Sequence, residues 1–519
     1  MLKYWFSLNS IIFSGLLLVV FYQRQIVLFR DYSIIWDGAT RMLAGQSAFE
    51  DFGMPTGPVV LWIPYAFMHL FGVDWEVFQA SQLFLNALTI INVIFLLQKL
   101  EIRKFVISLS LLFLVIFYLI FISHPWYNTT ALLLVLFSFN LLLSSNLFLK
   151  TFLSGVITGL CFFTKQDFGL LLFLSSLAIL IFDFNHEKRK FKILAMNFSL
   201  YCIGVSSVIL GFVYLYTPEY FSYWFNYGQT PHTSRIGHLR NLVYPIVSPA
   251  FVFGLFLIGS SFFYKLRSFL VFGLVFCMGA TTIVTSGLYF SHLYTLWTLP
   301  PILYLTFTNS RLFQHRSLCI VLSLLVFVPV IKHTAWISEN ILGNQHEHWI
   351  FNKRHLNPMQ NVVNYSECSN VLKNIYGPED ICRLIRDLKS RINSGDIPKG
   401  GRILNITELT PLTIELNFSP PRWHPLWYHG GISLFLREKE IITKQVINSE
   451  FDIVLIQGIA MGTNQQNRDF HLLLLKHLRA SSNFHEFPTS YLSPSSYTDC
   501  GQDIHCKIFV FFKKNRNKQ

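Results

Sequence analysis

The chain has 519 residues, of which 52% are hydrophobic and only 13% are charged, and its mean hydropathy is +0.44. A water-soluble protein carries about a quarter charged residues, so the composition excludes an ordinary soluble enzyme. The formal net charge of +13 does not indicate a nucleic-acid-binding protein, because much of the positive excess lies in short loops between apolar runs, where it sets membrane orientation.

Continuous apolar runs dominate the first 335 residues. They are close to the ~20 residues that a helix needs to cross a bilayer, and they do not alternate as barrel strands would. We therefore predict an all-α polytopic membrane protein with a C-terminal α/β soluble domain. About eleven transmembrane helices are expected, near residues 5–29, 77–98, 105–123, 129–149, 152–164, 167–184, 193–216, 242–264, 268–288, 292–308 and 317–335.

Two segments leave the predicted topology open. The runs at 152–164 and 167–184 are separated only by Lys165 and its neighbours, and if they formed one helix, every later loop would change sides. The stretch Val59–Phe71 is apolar but short, and it contains Pro64. It predicts a helix lying at the membrane interface, with a re-entrant segment as the alternative.

Lysine and arginine are distributed unevenly between the two sets of short loops. One side carries 13 of them, namely Lys3, Lys99, Arg103, Lys104, Lys150, Lys188, Arg189, Lys190, Lys192, Lys265, Arg267, Arg311 and Arg316. The other side carries 6, namely Arg24, Arg30, Arg41, Lys165, Arg235 and Arg240. By the positive-inside rule the richer side, with the N-terminus, faces the cytoplasm.

This orientation defines the predicted domains. We expect a plasma (inner) membrane protein with a transmembrane domain at 1–335, a first outer loop at 30–58 and an extracytoplasmic soluble domain at 336–519. The first apolar run lacks a small-residue cleavage site, so it is predicted to be an uncleaved signal anchor.

The eight cysteines divide between these two domains. Four lie in apolar runs, where a thiol acts as a small hydrophobic group, and four lie in the predicted extracytoplasmic domain, where disulfides can persist. The spacing of the second four predicts one bridge between Cys368 and Cys382 and another between Cys500 and Cys506. Free thiols are an equal alternative, and zinc is less favoured because no Cys-x-x-Cys pair occurs.

The C-terminal domain is predicted to be mixed α/β. Residues 381–392 have a helical charge pattern, and residues 451–457 form a strand-like run before a glycine-containing turn. The Pro- and Trp-rich stretch 420–429 is expected to be a packed loop, although such aromatic residues also favour a membrane interface or a ligand surface. We assign no metal to His346 and His348.

Acidic residues are concentrated in the first outer loop, beside a bilayer that disfavours charge. They are Asp31, Asp37, Glu50 and Asp51. Carboxylates held at a membrane surface can act as general bases or bind a cation. Any one of them could be a solvated loop residue, but the cluster makes this loop the first candidate for catalysis.

Short motifs occur in an order that resembles a known family. Asp31 follows the first apolar run, a small-residue helix ends in a glycine, and Phe49-Glu50-Asp51 precedes the Gly57-Pro58 that opens the next run. Further matches are His124 to Asn128, Gly155 to Gly169 with Thr164-Lys165-Gln166-Asp167, and Ser291 to Tyr294 leading to Pro300-Pro301. This order resembles the polytopic C-type glycosyltransferases, which use polyprenyl-phosphate sugars and include protein mannosyltransferases and aminoarabinose transferases.

The resemblance implies sugar transfer outside the cytoplasm, with inversion at the anomeric carbon, from a polyprenyl-phosphate donor to a hydroxyl of a lipid, glycan or protein. The family's base corresponds to Asp31, with Asp51 as a second acid that orients the acceptor or a cation, and Asp37 in reserve. Many members carry an acid in the second outer loop, where this chain has His124 and Tyr127. The need for a divalent cation stays open, and no metal ligands are assigned.

The departing lipid phosphate gains negative charge, so cations directed at it would stabilise the transition state. Lys165 and Arg235 are the candidates on the outer side, although Lys165 could equally be a lysine that anchors the chain at the membrane edge. The candidate substrate-binding residues are His124, Tyr127, Gln166 and His292.

Other functions are compatible with many apolar helices. A transporter or flippase would typically have internal repeats and ionisable groups near the membrane midplane, and neither is found in this sequence. A glycan polymerase would work on the same side of the membrane and remains an alternative. A non-catalytic scaffold would not require the acidic cluster.

Overall fold

The protein is described here from a computed structural model. The structure describes residues 30–54, 56–119, 124–144, 147–187, 191–216, 247–286, 295–309, 362–407, 409–428, 434–457, 465–492 and 507–514, with the isolated residues 317, 320, 321 and 324. Several predicted features lie outside these residues: the first and most of the last predicted span, His346 and His348, the glycine-containing turn after residue 457, and the pair Cys500 and Cys506.

The described residues before position 310 are predominantly helical. The helices are α1 (Arg30–Leu43), α2 (Val59–Phe71), α3 (Trp75–Lys99), α4 (Lys104–Phe117), α5 (Tyr127–Leu142), α6 (Leu147–Phe162), α7 (Gln166–Glu187), α8 (Phe191–Leu215), α9 (Val247–Tyr264), α10 (Arg267–Ser286) and α11 (Leu299–Thr308). The predicted helical fold class is confirmed.

Three described helices are long and apolar enough to cross a membrane: Trp75–Lys99, Gln166–Asn185 and Phe191–Leu215. Shorter apolar helices accompany them at Val59–Phe71, Lys104–Val115, Tyr127–Leu142, Phe148–Phe162, Phe251–Tyr264 and Arg267–Gly279. The total of about eleven crossings, the orientation and the interfacial position of α2 stay predictions.

A short non-helical turn separates α6 from α7, as the sequence predicts. The main-chain nitrogens of Thr164 and Lys165 both donate to the Cys161 carbonyl, at 3.1 and 2.9 Å, which closes the last turn of α6. Helix α7 then begins at Gln166. The two runs therefore do not merge into one helix.

The predicted boundary between the next two helices upstream is wrong. The apolar run at 129–149 was expected to be one helix, but α5 ends at Leu142 and α6 already begins at Leu147, so Lys150 lies inside a helix. The carbonyl of Asn140, near the end of α5, accepts hydrogen bonds from the Lys99 ammonium and the Ser144 hydroxyl. These side chains satisfy a carbonyl that would otherwise need a further helical turn.

A large cluster of buried apolar side chains runs through much of the helical part. It extends from Ile90 of α3 to Ile302 of α11 and includes Phe139, Phe272 and Trp297.

Helix α3 begins at an N-cap, because the Asp74 carboxylate accepts from the Val77 nitrogen at 2.7 Å.

The C-terminal domain contains sheets and helices, as predicted. Its strands are β1 (Val362–Asn364), β2 (Tyr376–Pro378), β3 (Ile403–Ile406), β4 (Ile453–Gln457), β5 (Phe484–Glu486), β6 (Tyr491–Leu492) and β7 (Lys507–Lys513). Its helices are α12 (Glu379–Asn393), α13 (Pro411–Glu415), α14 (Leu436–Ile447) and α15 (Gln465–Ala480). Helix α12 and strand β4 confirm the predicted helix at 381–392 and strand at 451–457.

The strands form two sheets. Strands β1 and β2 pair antiparallel, and the larger sheet has the order β3-β4-β7-β5, with β6 also paired to β7. Strands β3 and β4 are parallel, while β7 is antiparallel to its neighbours.

A disulfide joins Cys368 to Cys382, with their Cα atoms 5.6 Å apart, which confirms the first of the two predicted bridges. Cys161, Cys202 and Cys277 lie in helices and are not part of a disulfide, as expected for cysteines in apolar runs.

Candidate functional site

Helix α1 carries a buried ion pair in the predicted first outer loop. Asp37 and Arg41 are one helical turn apart, with an Arg41 Nη2 to Asp37 Oδ2 distance of 2.9 Å. Only 5% of Asp37 and 3% of Arg41 is exposed. Burial raises the pKa of the Asp37 carboxyl, and the Arg41 charge opposes that increase. Asp37 was a predicted site residue and Arg41 was not, although acidic and basic residues four positions apart on a helix commonly form ion pairs.

Arg41 also contacts the C-terminal domain. Its Nη1 donates to the main-chain carbonyls of Pro421 at 3.0 Å and His424 at 3.4 Å. Residues 420–428, which we call the docking segment, belong to the Pro- and Trp-rich stretch of the sequence. Its expected packing as a loop is confirmed for His424 and Leu426, which are buried, whereas Trp423 is 54% exposed. Leu426 packs in an apolar cluster that includes Trp36 and Phe52 of the first outer loop.

Asp51 lies in a turn that the docking segment covers. The Asp51 carboxylate accepts from the Ser47 nitrogen at 2.9 Å, and Arg422 Nε lies 3.5 Å from its other oxygen. The Asp51 carbonyl accepts from the Trp423 nitrogen at 2.6 Å, and the Gly53 carbonyl accepts from Leu426 at 2.8 Å. This predicted site residue is therefore held by two parts of the chain that are far apart in sequence.

His424 is buried between two polar partners. Its Nδ1 lies 3.0 Å from the Tyr428 hydroxyl, and its Nε2 lies 2.7 Å from Gln445 Oε1. Because a carbonyl oxygen can only accept, Nε2 carries the proton and Nδ1 accepts from Tyr428. Burial lowers the pKa of His424 to about 4, and the charge of Arg41 acts in the same direction, while the Gln445 hydrogen bond opposes them.

A chain of aromatic contacts leads from α1 to His124. The Trp36 ring, next to Asp37, lies 5.1 Å from the Trp75 ring between centroids. Trp75 Nε1 donates to His124 Nε2 at 3.0 Å, and Gln79 Nε2 lies 3.0 Å from the same atom. Since an indole nitrogen can only donate, His124 Nε2 is an acceptor. His124 is fully buried.

The turn between α6 and α7 brings two predicted site residues together. Lys165 Nζ lies 5.5 Å from the centre of the Tyr127 ring and 5.0 Å from that of Phe168. It also lies 3.5 Å from the Asp167 carboxylate, and its side chain is only 8% exposed. A lysine that anchors at the membrane edge extends its charge into water, so this burial favours an internal role for the Lys165 charge.

Gly57 connects the first outer loop to this turn. The Val59 nitrogen donates to the Phe163 carbonyl at 3.3 Å. A Cβ atom added to Gly57 would lie 1.7 Å from that same oxygen, so only glycine permits this approach. The loop that carries the acids therefore ends against the turn that carries Lys165.

The remaining predicted residues are placed only in part. Asp31 lies in the first turn of α1, but its side chain is outside the described part of the structure. Gln166 is the buried first residue of α7. Arg235 and His292 lie outside the described residues. Within the described ranges, no group of three His, Cys, Asp or Glu residues is arranged to hold a metal ion.

No protein-family model and no curated protein sequence matches the chain. Similar solved structures are ArnT from Cupriavidus metallidurans in the apo state, with a TM-score of 0.51, and the same protein bound to undecaprenyl phosphate, with a TM-score of 0.44. Both are 10% identical to this chain, and each match covers 96% of this chain and 97% of the other. By the first of these comparisons, the chain has the fold of ArnT over nearly its whole length.

Proposed function

We propose that the protein is a membrane glycosyltransferase that moves a sugar from a polyprenyl-phosphate donor to a hydroxyl group on the extracytoplasmic face, with inversion. The observation that carries the proposal is the convergence of three predicted site segments at one end of the helical bundle. Through Trp36, Trp75 and Gly57, the first outer loop contacts the segments that contain His124 and Lys165. The ArnT fold agrees with the family resemblance of the sequence.

The C-terminal domain supports the assignment of this end to the outer side. The domain contains a disulfide, which is expected in an oxidising compartment and is rare in the cytoplasm. Its docking segment contacts the first outer loop directly, and its residue Val371 accepts a hydrogen bond from the Trp75 nitrogen. The candidate site and the disulfide therefore belong on the same side of the membrane.

The transfer requires a base and a group that stabilises the leaving phosphate. In the proposed step the carboxylate of Asp31 removes the proton of the acceptor hydroxyl as its oxygen bonds to the anomeric carbon. The bond from that carbon to the phosphate oxygen breaks, and the lipid phosphate leaves with the electron pair. A positioned base contributes roughly 10²–10⁴-fold, and Lys165, with Arg235 as the second candidate, would stabilise the phosphate.

Two observations bear on the choice between Asp31 and Asp37. These residues are six positions apart on α1, so they lie about 120° apart around the helix axis and do not share one face. The Arg41 charge lowers the proton affinity of Asp37 and so weakens it as a base, whereas burial of Asp37 raises its proton affinity. We keep Asp31 as the proposed base, Asp37 as the reserve candidate and Asp51 as the acid that orients the acceptor.

The experiment is a transfer assay with purified protein in detergent and a synthetic polyprenyl-phosphate sugar. Consumption of the donor is expected for the wild type, whereas a flippase would leave the donor intact. Asp31→Asn should abolish transfer, and Asp396→Asn, at a half-exposed carboxylate paired with Arg391 in the C-terminal domain, is the matched control.

Each outcome of this assay has a distinct meaning. Loss of transfer in Asp37→Asn with full activity in Asp31→Asn would move the base to Asp37. Full activity in both variants would leave the mechanism without its base and would refute it. An inactive wild type that is folded and given several acceptor classes would refute the function itself.

A further inference from the structure

The docking segment of the C-terminal domain contacts the first outer loop at several points. Contacts run from Arg41 and Gln46, near the end of α1, to Asp51 and Gly53, beyond the turn. We propose that the docking segment is a positioning element for the first outer loop, and that Arg41 is the positioning residue through which it acts. This inference rests on the proposed function, since what is positioned is the acid-bearing loop.

The contacts are mostly to main-chain atoms of the docking segment. Besides the two Arg41 bonds, Gln46 Nε2 donates to the Pro420 carbonyl at 3.0 Å. In the opposite direction, the nitrogens of Trp423 and Leu426 donate to carbonyls of the loop. Hydrogen bonds therefore fix both ends of the loop turn, and a shift of the docking segment would move the whole turn.

Arginine is suited to this position because its planar group has several fixed donors. One terminal nitrogen of Arg41 binds the Asp37 carboxylate, while the other binds the carbonyls of Pro421 and His424. A lysine could keep the charge pair but could not span both sets of acceptors in one geometry. Asp37, Arg41 and His424 are buried, and Pro421 is half-buried. Water would therefore only partly replace Arg41 at the carbonyls that it leaves.

The docking segment is itself anchored in the fold of the C-terminal domain. The His424 ring is held by Gln445 of α14, and Leu426 belongs to a buried cluster that includes Trp36 and Phe52 of the loop and Val510 of β7. A second tie joins the Thr410 hydroxyl to the Ser33 carbonyl of α1 at 3.0 Å. The position of α1 is therefore set by the C-terminal domain as well as by the helical bundle.

The proposed donor-phosphate contact is made elsewhere. Lys165 lies at the turn that meets Gly57, at the other end of the loop from Arg41. Loss of the Arg41 contacts should therefore misplace the acids without removing the cation that binds the donor. The expected signature is a lower kcat with little change in the donor KM.

The test combines hydrogen exchange with kinetics on the full chain in detergent. Arg41→Met should raise amide exchange in residues 44–54 and 420–428 but not in α3. The same variant should lower kcat by about 10- to 100-fold, the scale expected for a misplacement of about 1 Å, with the donor KM within ~2-fold. Arg41→Lys should recover part of kcat. Arg402→Met, which removes an exposed arginine 3.8 Å from Glu450, is the control and should behave as the wild type.

The two proposals fail in different ways. Unchanged exchange in both segments of Arg41→Met, or unchanged kcat, would overturn the positioning role. So would a general rise in exchange that includes α3, with no recovery by Arg41→Lys, because that result indicates only a structural role. If the wild type transfers no sugar, the proposed function fails, whereas the exchange pattern still decides whether Arg41 couples the two segments.

Discussion

The main-chain nitrogen of Trp75 donates a hydrogen bond of 2.9 Å to the carbonyl of Val371. Trp75 is the first residue of α3, whose first nitrogens have no partner within the helix. Val371 lies in the loop that the Cys368–Cys382 disulfide closes. The disulfide loop is therefore a further attachment of the C-terminal domain to the helical bundle. It contacts Trp75, whose indole binds His124.

We expect the disulfide to stabilise this attachment. Replacing Cys368 and Cys382 with alanine should lower the free energy of unfolding of the C-terminal domain by about 3 kcal/mol, because the bridge closes a loop with a sequence separation of 14. Pulse proteolysis of the full chain across a urea series measures the change. Cys202→Ala, at a half-buried free thiol, is the control, and an unchanged urea midpoint in the double variant would contradict the prediction.

The buried His424 predicts that stability depends on pH. Between its ordinary pKa of about 6.5 and its folded pKa of about 4, the unfolded chain binds a proton that the folded chain does not. Stability therefore falls as the pH is lowered through this window, by up to about 3 kcal/mol from this residue.

Carboxylates also titrate in this range, so the prediction concerns a difference between variants. His424→Gln keeps a polar side chain but removes the titrating ring, and its urea midpoint should fall less steeply than that of the wild type between pH 6.5 and 4. Parallel curves for the two proteins would show that His424 does not carry the dependence.

The sequence predicted the helical fold because hydropathy and helix length are local properties. The break at Lys165 was predicted correctly, since a charged and polar run interrupts apolar segments. The early end of α5 was missed because it depends on Lys99, which is 41 residues away from its acceptor Asn140. Side-chain contacts of this kind are not visible in a hydropathy pattern.

The segments that form the candidate site could be predicted from the sequence, but the contacts between those segments could not. The acids of the first loop, His124 and Lys165 all come from short motifs, whereas the contacts of Arg41 with Pro421 and His424 span more than 300 residues of sequence. A proline- and tryptophan-rich loop could be recognised as packed, but its partner could not be identified. That information lies in the tertiary arrangement alone.

Gly57 provides a test of the contact between the first loop and the Lys165 turn. Gly57→Ala should lower kcat/KM by at least about tenfold, because its Cβ would collide with the Phe163 carbonyl and move the loop away from Lys165. Gly259→Ala, where an added Cβ meets no atom within 4 Å, is the matched control. Equal activity of the two variants in the transfer assay would show that this approach is not needed.

Lys165 should act on donor binding and on the transition state together. Lys165→Met removes the positive charge of this side chain, so the donor KM should rise and kcat should fall. A hydrogen bond to a charged group is worth about 1.5–3 kcal/mol, which corresponds to roughly 10- to 100-fold in kcat/KM. Lys165→Arg keeps the charge and should retain part of the activity. Lys104→Met, which removes an exposed lysine at the first position of α4, is the control.

A double variant separates the proposed role of Lys165 from a purely structural one. Lys165→Met leaves Asp167 buried without the nearby Lys165 charge, and that loss could by itself disturb the turn. Adding Asp167→Asn removes the buried negative charge and should restore the stability of the protein. If Lys165 binds the donor phosphate, the double variant should be stable but still inactive, with weak donor binding. Recovery of wild-type transfer would instead show that Lys165 serves only to neutralise Asp167, and the donor contact would then have to be sought at Arg235.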